Sequence, residues 1–144
     1  NVIAKKNTFL IIFCAVTLMI SACQLIPSNV GKEVTTDNGS YRVVSVQELQ
    51  TMLEKKDFTM INVHTPFQGN ISQTDLHLAY DVIEQNLNQL PQEKDAKILV
   101  YCLTSGMAKK AIATLLNQGY TNLWMLDGGT TSWEEAGLSL ENKP

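Results

Sequence analysis

The stretch Lys97-Ile98-Leu99-Val100-Tyr101-Cys102-Leu103-Thr104-Ser105-Gly106-Met107 decides how this chain folds. The unbroken apolar run from Ile98 to Tyr101 predicts a strand buried on both faces, as in a parallel sheet. Small residues then turn the chain into a helical pattern from Met107 to Gln118. There Ala108, Ala111, Ile112 and Leu115 share one face, and Gly119 closes the helix. Cys102 therefore stands between the tip of a buried strand and a helix N-terminus, where unpaired backbone N–H groups stabilise an anion. A thiol in that place is either a nucleophile or, as free cysteine commonly is, a small buried hydrophobe.

Strands and helices alternate on both sides of this stretch. Tyr41 to Val44 predicts a short strand, and Ser45-Val46-Gln47-Glu48 is a capping box opening a helix with Val46, Leu49 and Leu53 on its apolar side. Phe58 to Val63 predicts the next strand. His64 to Tyr80 has no clear period, and an irregular segment of that length is commonly functional. Residues 81–90 read as a helix, with Asp81 and Glu84 at capping-box spacing and Pro91 as its stop. Leu123 to Leu126 predicts a last strand, followed by Asp127-Gly128-Gly129 and a short helix through Trp133 that ends at Gly137. The expected class is α/β: a mostly parallel central sheet of about five short strands with helices on both faces. Ligands of such sheets bind beyond the carboxyl ends of the strands, so His64, Cys102 and Asp127 are expected on one rim. His77, Trp124 and Trp133 read as structural.

The first residues have a different character. Lys5 and Lys6 precede Phe9 to Ile20, a run of 12 residues that are apolar except for Thr17. A membrane-spanning helix needs roughly 20, so the run predicts a secretory signal core. It ends in Ile20-Ser21-Ala22-Cys23, which resembles the lipobox of bacterial lipoproteins and marks Cys23 for lipidation. A non-lipidated signal or an uncleaved anchor is the alternative. The expected organisation is a signal peptide over 1–22, lipidated Cys23 with a flexible tether over 23–40, a globular domain over 41–140, and a tail over 141–144. Export to the periplasm or the outer cell surface follows, with a membrane anchor through lipid. Gln24 is not the aspartate that commonly retains lipoproteins in an inner membrane, which favours the outer one where two exist.

Of three cysteines, Cys14 would leave with the signal and Cys23 would carry lipid, so Cys102 would be a lone free thiol. No disulfide framework and no zinc spacing remain, and no metal site is expected. A formal net charge of −3 and an isoelectric point near 5.3 speak against a nucleic-acid partner.

From Tyr41 to Leu140 the chain resembles a single-domain rhodanese. The resemblance rests on Val100-Tyr101-Cys102 before the six-residue loop from Cys102 to Met107, on Gly119-Tyr120-Thr121-Asn122, and on Leu126-Asp127-Gly128-Gly129 followed by Trp133 and Ala136-Gly137. It implies a sulfurtransferase without metal or organic cofactor. Cys102 would take a sulfane sulfur from thiosulfate or a persulfide, hold it as a persulfide, and pass it to a thiol or cyanide-like acceptor. The loop residues Leu103, Thr104, Ser105, Gly106 and Met107 would form its cradle, with Gly106 giving a tight turn. The pattern of active members has Arg after the cysteine, Gly two residues later, and often Arg closing the loop. Leu103, Ser105 and Met107 stand there, and Asn62-Val63-His64 replaces the family's Asp-x-Arg. Thiosulfate handling should therefore be weak.

His64 is either an imidazolium that compensates for these losses or a hydrogen-bonded loop residue. Asp75 is either its orienting partner or a turn residue. The Thr104 and Ser105 hydroxyls are candidates to line the cradle. Lys109 and Lys110 either add positive potential or form a solvated face. A non-catalytic module that binds a partner protein or small anion at the same rim is the alternative function. A cysteine-loop phosphatase would need an Arg that neither Met107 nor Ala108 supplies.

Overall fold

The computed structural model describes residues 29–144. The expected signal peptide and Cys23 lie outside them. Six strands form one sheet: β1 (Lys32–Thr36), β2 (Gly39–Val44), β3 (Thr59–Asn62), β4 (Leu76–His77), β5 (Ile98–Tyr101) and β6 (Leu123–Leu126), in the spatial order β1-β2-β6-β5-β3-β4. β1 and β2 are an antiparallel hairpin, and the other neighbours run parallel. Three helices cover the sheet: α1 (Val46–Glu54), α2 (Gly106–Asn117) and α3 (Gly129–Glu135). Among the described residues no helix is long and apolar enough to cross a membrane.

The alternation of side chains along each strand divides the core. Ile61, Ile98, Val100, Leu123 and Met125 face α2, which buries Ala108, Ala111, Ile112, Leu115 and Leu116 against them. Met60, Leu99, Tyr101 and Leu126 face the opposite way, onto Val46, Leu49 and Leu53 of α1 and Trp133 of α3. The capping box forms as the sequence predicts: Ser45 accepts from the Glu48 N–H, and the Glu48 carboxylate accepts from the Ser45 N–H.

Four expectations change. The stretch expected to be tether contains β1, so the sheet has six strands and order begins before Tyr41. β1 carries a single large apolar residue, Val34, because it is an edge strand with its other residues facing solvent. The second lies in residues 81–90. They form no capped α-helix but a 3₁₀ segment, Glu84–Gln89, broken at Asn86 (φ −126°, ψ 26°). The Asn86 amide donates to the Val82 carbonyl at 2.8 Å, a local bond that competes with helix in so short a segment.

The third is the irregular stretch after His64, which contains the two-residue β4. Its course is tied down by Tyr101, whose hydroxyl accepts from the Ile71 N–H at 3.0 Å and shares a 2.8 Å bond with the Thr74 hydroxyl. Lastly, Gly106 begins α2 without a positive φ, and a Cβ there would meet nothing within 4 Å. No tight turn depends on it.

Candidate active site

β3 and β5 are neighbours, and both end at the same rim. The chain leaves β5 through Cys102, a residue 1% exposed, and reaches α2 four residues later at Gly106. Among the described residues no backbone N–H from Leu103 to Ala108 donates to a protein acceptor, and Ser105 offers no side-chain cap. The loop thus gathers free N–H groups at the positive end of a 12-residue helix. Cys102 lies in a cleft of about 330 Å³ lined also by His64, Tyr80, Leu103, Thr104, Gly106, Met107 and Lys110.

The loop is held from behind. The first N–H groups of α3 point at its carbonyls: Thr130 donates to Cys102 at 2.9 Å and Thr131 to Leu103 at 3.0 Å. The Gly128 N–H donates to the Ser105 hydroxyl at 3.3 Å. Gly129 makes this approach possible, since it has φ +56° and a Cβ there would stand 2.1 Å from the Cys102 carbonyl oxygen. The segment Asp127-Gly128-Gly129 is therefore a clamp. Sequence reading found it as a motif and did not find its purpose. With their carbonyls occupied from the α3 side, the loop residues leave their N–H groups free.

The predicted residues separate into groups. His64 and Cys102 line the same cleft. Asp127 shares the rim but lines a different cleft, with Val44, Ser45 and Glu48. Thr104 lines the Cys102 cleft, whereas the Ser105 hydroxyl turns to the Gly128 clamp. Asp75 does not orient His64. β4 runs parallel to β3 with Ile61 beside Leu76, so the preceding Asp75 falls next to Met60. Its carboxylate accepts from the Met60 N–H at 2.7 Å and pairs with Lys56. Of the other cleft residues, Tyr80 had no place in the sequence reading of the site, whereas Lys110 was weighed there as a source of positive potential or a solvated face. Tyr80 ends the irregular segment. Lys110 lies one turn along α2 from Gly106, on the face that meets the cleft. Its ammonium stands 5.4 Å from the Tyr80 ring centroid, and it is the one cation among the residues lining this cleft. Lys109 lines a separate cleft beside the β1–β2 hairpin.

His64 is 8% exposed, and its backbone is fully engaged. Its N–H donates to Asn62 Oδ1 at 3.0 Å, and its carbonyl accepts from His77 Nε2 at 2.7 Å. The Asn62 amide in turn donates to the Gly69 carbonyl and to Asn70 Oδ1, each at 3.0 Å, so Asn62 organises the loop after β3. The His64 ring is different: neither nitrogen has a hydrogen-bond partner. Burial lowers the pKa of the ring; Gln68 acts against this, and the nearby His77 adds to it. Gln68 nevertheless makes no hydrogen bond of ordinary geometry to either nitrogen. Burial and His77 thus both disfavour the imidazolium that was one of the two expectations for His64.

A cysteine nucleophile beneath free N–H groups, in a small cleft at a strand–helix junction, suits chemistry that places an anion on or above sulfur. Comparison with known proteins points the same way. Residues 45–136 match the family model of the rhodanese-like domain. A thiosulfate sulfurtransferase GlpE of Vibrio cholerae is 29% identical over 100 residues, covering 68% of this chain and 92% of its own. A sulfurtransferase of Allochromatium vinosum is 28% identical over 94 residues, 63% of this chain and 85% of its own. Among solved structures, a rhodanese-related protein of Thermoplasma volcanium superposes with a TM-score of 0.58 at 24% identity, covering 69% of this chain and 97% of that one. With the fold, the strand–loop–helix carrying Cys102 and the family match in agreement, this chain belongs to the rhodanese-like domain family.

Proposed function

We propose that the chain is a sulfurtransferase in which Cys102 carries sulfane sulfur between a donor and a thiophilic acceptor. The observation that supports it is the free N–H cradle around Cys102, which suits the terminal anion of a persulfide. In the loading step the Cys102 thiolate attacks the outer sulfur of the donor. The donor's S–S bond breaks, a Cys102–S–S⁻ persulfide forms, and the donor leaves as sulfite or as a thiol. In the discharge step a thiol or cyanide attacks the outer sulfur and Cys102 leaves as thiolate. No net oxidation occurs and no cofactor is called for.

The names of the relatives favour thiosulfate as donor. The cleft favours a less anionic one, because Leu103 and His64, whose charged form burial disfavours, stand where the family pattern has arginines. A hydrogen bond to a charged group is worth about 1.5–3 kcal/mol, so each missing cation costs roughly ten- to a hundredfold in oxyanion handling. The same deficit favours a second reading, a rhodanese-like module that binds a partner or small anion without turnover.

Intact-mass spectrometry of the purified chain after incubation with thiosulfate and, separately, glutathione persulfide tests the assignment. A one-sulfur gain that cyanide removes and Cys102→Ser lacks supports the carrier. No gain from either donor leaves the binding module.

We further propose that the protein is exported and anchored through lipid on Cys23. Incorporation of labelled fatty acid that is lost in Cys23→Ser tests this.

A further inference from the structure

The direction of β1 decides at which end of the sheet the preceding chain arrives. β1 runs antiparallel to β2, whereas β2, β6 and β5 run parallel to one another, so β1 begins where β5 ends. Lys32 lies beside Val43, Val43 beside Met125, and Met125 beside Val100, in one row across the sheet. Cys102 comes two residues after Val100 and Val30 two residues before Lys32, so both stand at the same rim. In the order β1-β2-β6-β5 three strand spacings separate them, about 14 Å.

The arrival point is fixed by hydrogen bonds. The Arg42 guanidinium donates to the Val30 carbonyl at 3.0 Å and to the Gly31 carbonyl at 3.3 Å, and the Gly31 N–H donates to the Glu48 carboxylate at 2.9 Å. These bonds tie Val30 and Gly31 to β2 and α1. Cys23 precedes Val30 by seven residues, and a chain of that length spans at most about 25 Å in any conformation.

We propose that the rim carrying Cys102 is the membrane-facing side of the domain, and that its cleft takes sulfane sulfur from a persulfide held at the bilayer surface. The inference rests on the proposed lipid anchor at Cys23 and on the proposed carrier chemistry, and it names the class of donor for that site. A chain arriving at the opposite rim would put the whole sheet between Cys102 and the lipid; arriving at this rim, it puts none of it there. The walls of Leu103, Met107 and Tyr80 suit a donor on an organic carrier better than a compact oxyanion. An anchor also raises the concentration of a surface-held donor at the cleft to the millimolar range without any new contact.

Energy transfer to headgroup-labelled lipids measures the orientation. The full lipidated chain carrying Cys102→Ser is placed on phosphatidylcholine vesicles, with a fluorophore on Thr104→Cys at the Cys102 rim or on Glu93→Cys ahead of β5 at the other; both positions are exposed. β5 alone sets the rims about 13 Å apart, so transfer from position 104 should be at least about twofold that from position 93. The donor class is tested with Cys102 intact, by intact mass. Vesicles that carry both the anchored chain and phosphatidylthioethanol persulfide should load Cys102 at least about a hundredfold faster than a mixture of vesicles carrying one or the other, while glutathione persulfide should load both arrangements alike. Equal transfer from the two positions, or more from 93, in a chain that carries fatty acid would overturn the orientation and leave the anchor standing. Equal loading by the lipid persulfide in the two arrangements would overturn the donor class while leaving Cys102 a carrier. A chain without fatty acid would overturn the anchor and the orientation together, and a Cys102 that neither persulfide loads would overturn the carrier.

Discussion

Replacing Gly129 with Ala should disable the clamp behind the Cys102 loop, and two other glycines supply the scale for measuring it. At Gly129 φ is +56°, and an added Cβ would lie 2.1 Å from the Cys102 carbonyl oxygen, 2.6 Å from that of Thr104 and 2.8 Å from the carbonyl carbon of Leu103. All three are backbone atoms, so no side chain can swing aside. At Gly119 φ is +87° and a Cβ would meet nothing within 4 Å, which isolates the backbone strain from the clash. Gly106 has neither problem. Left-handed strain at a non-glycine residue costs about 1–2 kcal/mol, and that is the whole expected penalty for Gly119→Ala. Gly129→Ala adds the loss of the Thr130 and Thr131 hydrogen bonds at roughly 1 kcal/mol each, for a total of about 3–4 kcal/mol. Gly106→Ala should lie between no change and a gain of about 1 kcal/mol, since alanine favours helix. Urea unfolding followed by the fluorescence of Trp133, which is on α3 itself, reads all three. Sulfur loading of Cys102 should collapse in Gly129→Ala even below its unfolding midpoint, because the loop carbonyls must move. If Gly129→Ala costs no more than Gly119→Ala, the clamp has been misread.

Three other substitutions test different parts of the structure. Leu103→Arg restores a cation beside Cys102 and should raise thiosulfate loading roughly ten- to a hundredfold, read by initial rates; an unchanged rate would mean that charge does not limit this donor. Tyr101→Phe leaves the Ile71 N–H buried without its acceptor and should cost about 1–3 kcal/mol in urea unfolding, loosening the segment that leads from His64 to β4. Bonds from the Gly31 and Ser45 N–H groups lower the Glu48 pKa, so its contribution is present above the ordinary carboxylate range and is lost as pH falls through the lowered value. Glu48→Gln should therefore cost about 0.5–1 kcal/mol at pH 7, kept small by exposure, and the difference between the two proteins should shrink in acid.

What the sequence revealed follows from how local each signal is. The buried strand before Cys102, the α2 face and the Ser45–Glu48 box depend on neighbours within a few residues, and they appear as read. β1 escaped because an edge strand shows water on most of its surface, and the two-residue turn Asp37-Asn38 ahead of Gly39 has the composition of a tether. Residues 81–90 misled because an acidic residue at box spacing does not show that a helix follows, and Asn86 spends its side chain on the backbone instead.

The site divides along the same line. Cys102 was legible because strand, loop and helix lie in sequence around it. Lys110 was visible as a charge on a helix, but whether it faced water or the cleft depended on Tyr80, 30 positions away in the chain. Asp75 and His64 show the converse error. Both follow the second predicted strand, and proximity along an irregular segment suggested a pair. The parallel register of β4 sends Asp75 back to Met60, at the opposite end of β3 from His64. That register is why His64 has no carboxylate beside it. A carboxylate beside the ring would favour its protonated form; burial without one favours the neutral form. The two-residue strand β4, which no periodicity could announce, thus keeps the candidate carboxylate of Asp75 away from the histidine that lines the cleft with Cys102.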